Sequence, residues 1–290
     1  VITVPGALGT VTVLPSPARR VVSLVPSVTE AVALLGGLSL LVGRTDYCFE
    51  PPAVRELPSV GGTKDASLDA IAALSPDLVL INQEENTEAI YRGLVARSIT
   101  AHLSFPKTVA DAITLARELT VMLDLQPGVH PLLREMELAV AEAERTRAAR
   151  VPVRVFCPIW MDPLMTIHGE TFISDVLDLA GGANVFAERT RRYPLAADLG
   201  RATPWSAERV GQRDVRYPRV TLDEVVAQQP EVVLLPDEPH PFSEEDAAVF
   251  RALPIPAARD GRVRRVDGKD LSWYSPRLTT GIARVASWLA

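Results

Sequence analysis

Two stretches of this chain repeat one another: Leu68 to Ile81 reads LDAIAALSPDLVLI, and Leu222 to Leu235 reads LDEVVAQQPEVVLL. Each describes a short helix that stops ahead of a proline, which disfavours helix at the residue before it, and then an apolar run of strand length. Runs apolar on both faces belong to parallel sheets covered by helices. A second pair recurs in the same order, SVTEAVALLGGLSLL from Ser27 and FISDVLDLAGGANVF from Phe172, each a helix closed by Gly-Gly. Gly36 and Gly181 fit helix C-caps, where positive φ costs glycine little. Ser27 and Glu30 have capping-box spacing directly after the strand-like Val21 to Val25. The fold class that follows is α/β, two lobes each with a mostly parallel sheet covered by helices.

Between the copies, Leu132, Met136, Val140 and Ala143 recur at helical spacing in a charged background. That pattern predicts one long amphipathic helix, with Pro131 in its first turn. The expected organisation is an N-terminal lobe over 1–126, a connecting helix over 127–150 and a C-terminal lobe over 151–290. A length of 290 residues suits two domains of ordinary size. Ligands of open parallel sheets bind beyond the carboxyl ends of the strands. The loops expected there, RTDYCFEPP, NQEEN, PIWMDPLMTIHGE and PDEPHPF, bring aromatic and polar groups into otherwise aliphatic lobes. That mixture suits a pocket for a large, partly flat ligand.

Several function classes are disfavoured. Net charge is −6 with both signs mixed along the chain, so there is no basic footprint for nucleic acid and no polybasic membrane anchor. No apolar run reaches the length of a membrane span. The opening VITVPGALGTVTV lacks the pattern of a secretion signal, so a leader has been removed or never existed. Cys48 and Cys157 are too few for a disulfide framework and read as ordinary thiols. No GxSxG, GxxxxGK[ST], HExxH or GxGxxG occurs. His168 and Glu170 form an HxE triplet, but the PCxxC that completes a zinc-deaminase signature is missing. No catalytic residue is assigned.

VVSLVPSVTEAVALLG, VGRTDYCFEPP, LPSVGGTKDASLDAIAALSPDLVL and the later SPR resemble the helical-backbone class of ABC-transporter substrate-binding proteins over nearly the whole chain. The loop Tyr47 to Pro52, the stretch from Pro163 and the Tyr-Pro before TLDEV are most similar to the cobalamin-binding branch. The resemblance implies a monomeric, non-catalytic protein of the periplasm or another extracytoplasmic part of the envelope. It would grip a metal chelate, a cobalamin-type corrinoid, between its lobes and hand it to an ABC permease. Carried over residue by residue, it places Tyr47, Met165, Tyr217 and Trp273 at aromatic or apolar pocket positions, while Thr63 and Asn82 stand where tryptophans are expected. Trp160, His168 and Gln83 join them from the candidate loops, Asn82 and Gln83 as hydrogen-bond donors to the ligand rim. Asp69 and Asp223, equivalent in the repeat, fall where acidic residues dock on permease arginines; they equally suit the first turn of a helix.

Two alternatives stay open. The ligand is haem or a ferric siderophore, with Tyr47 or His168 as an axial ligand, or the protein is an enzyme or chelatase-like protein on the same two-lobed plan. If there was never a leader, a cytoplasmic binding protein working alone is the corresponding location. The segment from Glu188 to Arg216 is an insertion relative to the first copy; its Tyr193 and Trp205 either pack it onto the second lobe or reach over the ligand as a lid.

Overall fold

The apolar runs become strands, and proline and glycine set where the helices between them start and stop. The computed structural model describes all 290 residues and divides into two units, Val1–Leu138 with Trp273–Thr279, and Ala139–Ser272 with Thr280–Ala290.

The first unit opens with an antiparallel hairpin of β1 (Ile2–Pro5) and β2 (Val11–Leu14). There follow β3 (Val21–Ser23), α1 (Pro26–Val32), β4 (Leu41–Arg44), α2 (Leu68–Ala73), β5 (Leu78–Asn82), α3 (Glu88–Ala96), β6 (Ala101–Ser104) and α4 (Val109–Leu123). The four later strands form one parallel sheet in the order β4-β3-β5-β6. All five residues of β5 are buried, and Val22, Val79 and Ile81 meet Ile71, Ile90 and Leu94 of the covering helices. Helix α2 is capped by Ser67, whose hydroxyl accepts from the Ala70 N–H at 3.2 Å.

Helix α5 (Pro131–Ala148) follows, 18 residues long, or roughly 27 Å at 1.5 Å per residue. No helix is long and apolar enough to cross a membrane.

The second unit repeats the first. It runs β7 (Val153–Phe156), the hairpin β8 (Pro158–Trp160) and β9 (Met165–Thr166), α6 (Phe172–Leu179), β10 (Gly182–Asn184), α7 (Leu195–Asp198), α8 (Ala207–Val210), α9 (Leu222–Gln228), β11 (Val232–Pro236), α10 (Glu244–Arg251), α11 (Pro256–Arg259), β12 (Val263–Val266), α12 (Lys269–Ser272) and α13 (Leu278–Leu289). Its parallel sheet has the order β10-β7-β11-β12. In both sheets the first strand lies between the second and the third, so the two halves share one topology. The repeated sequences form α2–β5 in one half and α9–β11 in the other, as the spacing predicts. Gly36 and Gly181 take φ of 83° and 90°, and Pro131 is the first residue of α5.

One expectation is corrected. Ser27 and Glu30 make no capping box: Pro26 occupies the first helical position, Val25 is the N-cap, and no side chain caps α1. The fixed φ of Pro26 suits a helix start, which leaves Ser27 inside the helix and frees Glu30 for another partner. Helix α5 spans the division between the two units, its residues to Leu138 grouping with the first and those from Ala139 with the second. Trp273–Thr279 groups with the first unit, although it lies near the end of the chain.

That last segment is held by the freed Glu30, which is 5% exposed. Arg277 donates to both its oxygens, Nη2 to Oε1 at 2.5 Å and Nε to Oε2 at 3.2 Å, and the Ser275 hydroxyl donates to Oε2 at 2.5 Å. The SPR triplet is thus a clamp on α1.

Candidate functional site

In sheets of this topology the strand order reverses beside the first strand, and ligands bind beyond the carboxyl ends there. In the first unit that point lies between β3 and β5, in the second between β7 and β11.

In the first unit the loop after β4 is anchored by Cys48. Its buried Sγ lies 3.1 Å from the hydroxyls of both Thr29 and Thr45, and burial pushes its thiol up. With Cys48 turned inward, its neighbour Tyr47 is left 59% exposed, its ring edge passing over Gly62. This leaves an open aromatic face. Thr63 is half-buried and its carbonyl accepts from Asn86 Nδ2 at 2.8 Å. Gln83 is exposed.

Asn82 does not have the role expected of it. It is fully buried; its Oδ1 accepts from the N–H groups of Glu84 (2.8 Å) and Glu85 (3.3 Å), and its Nδ2 points at Ser104 Oγ at 3.4 Å. Asn86 completes the turn, accepting from Asn82 N at 2.8 Å and donating to Leu24 O at 3.1 Å. Both asparagines hold the loop instead of presenting donors to a ligand. Glu85, which sequence reasoning passed over, sits in this loop with its carboxyl raised by burial and partly offset by Lys64. Trp273 is buried rather than open, 6.2 Å from the Phe49 ring and 5.6 Å from the Arg277 guanidinium.

In the second unit a short sheet collects four of the expected residues. In the β8–β9 hairpin Trp160 pairs with Met165. Residues 216–220 extend it on the other side: Thr166 N donates to Pro218 O (3.0 Å), His168 N to Arg216 O (2.7 Å) and Val220 N to Leu164 O (2.9 Å), with Met165 opposite Arg219. Residues directly opposite across strands share a face, as do residues two apart along one. Trp160, Met165, Tyr217 and Arg219 therefore lie on one face. Trp160 is 42% exposed, and its indole N–H donates to Asp162 O at 3.0 Å. Behind it stands His240 from the loop after β11, 5.2 Å from the indole and 4.6 Å from Phe242. No motif signals Arg219, which the pairing register reveals, and His240, from the PDEPHPF loop, is placed by its ring contacts.

His168 joins this hairpin through its backbone, while its Nδ1 accepts from the Glu170 N–H at 3.1 Å. An accepting Nδ1 places the ring proton on Nε2, which opposes axial ligation through Nε2. No group of three or more His, Cys, Asp or Glu side chains is placed to hold a metal ion.

The insertion is organised by Asp198, 1% exposed. Its carboxylate receives Arg189 Nη1 at 3.0 Å, the Arg192 N–H at 2.8 Å and the Arg219 N–H at 2.7 Å. Tyr193 and Trp205 stack on one another, centroids 6.0 Å apart and planes 19° off parallel, and the Tyr193 hydroxyl donates to Asp214 O at 2.8 Å. Of the two roles open to these rings, this geometry is packing within the insertion.

Asp69 and Asp223 both lie in the first turn of their helices. Asp69, with its side chain 90% exposed, accepts from Arg97 Nη2 at 2.9 Å; Asp223 is exposed.

The sequence profile of the periplasmic binding protein family matches residues 21–235. The vitamin B12-binding protein of Photorhabdus laumondii is 27% identical over 221 residues, 74% of this chain and 70% of the relative. That of Vibrio cholerae serotype O1 is 24% identical over 285 residues, 95% and 90% of the two chains. Among solved structures, the periplasmic vitamin B12-binding protein of Vibrio cholerae superposes with a TM-score of 0.73 at 23% identity, covering 95% of this chain and 98% of its own. A periplasmic haem-binding protein from Pseudomonas aeruginosa gives the same TM-score at 21% identity, covering 93% and 92%. Identities this low carry the fold and leave the ligand to be argued.

Proposed function

Since the chain belongs to the periplasmic binding protein family, we propose that it captures a cobalamin-type corrinoid outside the cytoplasm, as a monomer, and presents it unchanged to an ABC importer. The observation that carries this reading is the single face shared by Trp160, Met165 and Tyr217. Aromatic and thioether groups on one surface suit a broad, flat, mostly apolar macrocycle, which they hold by stacking and dispersion. The exposed Tyr47 of the other unit is a second such surface. The vitamin B12-binding relatives support the corrinoid over other chelates.

Binding of this kind breaks no bond. The ligand rim meets the half-buried Thr63 and the exposed Gln83, while Asn82 and Asn86 fix the loop after β5. Asp69 and Asp223 are the acidic positions proposed to meet permease arginines, one from each copy of the repeat. Haem is the second reading, favoured by the exposed Tyr47 phenol and by the equal structural likeness to a haem-binding protein. Incubation with cobalamin, haem or ferric siderophore in turn, followed by gel filtration and a visible spectrum, tests both. Cobalamin co-eluting chemically unchanged is expected; haem alone co-eluting moves the assignment, and a chemically altered ligand makes the protein an enzyme.

A further inference from the structure

The insertion from Glu188 to Arg216 carries seven arginines against four carboxylates, in a chain of net charge −6. Most of these cations have partners in the second unit. Arg189 pairs with Asp198 and Glu224, and Arg216 pairs with Asp214 at 2.6 Å. Arg209 and Arg213 lie over the Trp205 ring at 4.0 and 5.5 Å.

Arg191 and Arg219 differ. Each has a buried Nε with no acceptor, and a buried unpaired donor is costly enough to need an explanation. The carboxylates that act on them, Asp198 and Asp214, are already committed to Arg189 and Arg216. Burial, and then the repulsion of Arg191, hold the Arg219 guanidinium below its usual range. Both side chains are nevertheless fixed: the Arg191 guanidinium lies 4.4 Å over the Tyr193 ring, and Arg219 Nη1 donates to Tyr217 O at 3.2 Å. Arg219 is only partly exposed, and it lies on the hairpin face with Trp160, Met165 and Tyr217. Two guanidiniums held near one another without a carboxylate of their own are matched to an oxyanion, which arginine binds through paired N–H groups.

We propose that Arg219, backed by Arg191, is a specificity-determining residue that binds a carboxylate or phosphate on the rim of the ligand lying against Trp160, Met165 and Tyr217. This rests on the corrinoid-type reading for the macrocycle, while the anion site itself stands on the arginine pair. The insertion then has a role: it supplies Arg191, and through Asp198 it fixes the backbone of Arg219.

The first test needs no macrocycle. Arginine Nε–H signals of 15N-labelled full-length protein are followed as inorganic phosphate, acetate or chloride is added, with Arg191→Lys and Arg219→Lys to assign them. Saturable shifts of both signals with phosphate or acetate, weaker with chloride and lost at the remaining arginine in Arg219→Gln, are expected. Unmoved signals, or the same shifts with chloride, overturn the proposal. The second test identifies the source by titrating two pairs, cobalamin against cobinamide, which lacks the phosphodiester, and haem against its dimethyl ester, which lacks the free carboxylates.

A preference of about tenfold to a hundredfold for the anionic member of one pair, abolished in Arg219→Gln, is expected from hydrogen bonds to a charged group. Macrocycle binding with no preference in either pair overturns the assignment of the anion to the ligand. If no macrocycle binds at all, the proposed function falls, and the phosphate titration still decides the anion site.

Discussion

Replacing Glu30 by alanine should release the Trp273–Thr279 segment and destabilise the protein measurably. The carboxylate is nearly inaccessible and Arg277 is 19% exposed at its side chain, so neither partner of the pair is well hydrated. Removal strips two bonds from Arg277 and one from Ser275. Breaking one side of a buried ion pair costs about 3–5 kcal/mol because the other charge is left unpaired. Arg277 keeps some water contact and the Trp273 ring beneath it, which places the expected loss near the low end, about 3 kcal/mol. At about 2–4 °C per kcal/mol for domains of this size, the midpoint should fall by roughly 6–12 °C in differential scanning calorimetry. Glu30→Ala with Arg277→Ala should cost less than the sum of the single changes, since both remove the same bonds between the two side chains. A midpoint within about 1 °C of the parent, or strict additivity, would refute the clamp.

Tyr47→Ala and Tyr217→Ala should each weaken ligand binding by about 0.5–1.5 kcal/mol beyond lost apolar area, with circular dichroism unchanged; parent affinity in both variants would show that the ligand lies elsewhere. Lysine at both Asp69 and Asp223 should abolish stimulation of a cognate transporter's ATPase and leave ligand affinity intact, and full stimulation by that variant counts against docking through these carboxylates. Neither cysteine should react with iodoacetamide at pH 8 in the native state, because burial pushes Cys157 up to about 12 and raises Cys48 as well, and the thiolate is the reactive form. Rapid stoichiometric labelling of folded protein contradicts that environment.

The sheets and their covering helices were legible because their signals are local. A proline two residues ahead of an apolar run, or a glycine pair at a helix end, constrains the backbone wherever it occurs, and both strands of the repeat, β5 and β11, follow from it. Local signals also mislead where two compete: Ser27 and Glu30 have the spacing of a capping box, yet Pro26 sets the helix start and Glu30 bonds a segment some 245 residues later. The site was half legible. Tyr47, Trp160, Met165 and Tyr217 have open or shared faces, whereas Asn82, the last residue of β5, and Trp273 are turned inward. Arg219 was invisible because its placement depends on pairing between a hairpin and a segment some fifty residues away, which no periodicity reports, and His240, although it lies in the PDEPHPF loop, is placed by its ring contacts with Trp160 and Phe242. For the same reason the insertion carried no readable role in the sequence, where nothing shows that Asp198 joins its start to Arg219.

Calorimetric titration of the purified full chain with cobalamin tests the central claim most directly. One molecule should bind per chain, and the heat should become more negative with temperature as apolar surface is buried. Absence of binding to both cobalamin and cobinamide, under conditions where haem binds, would contradict it.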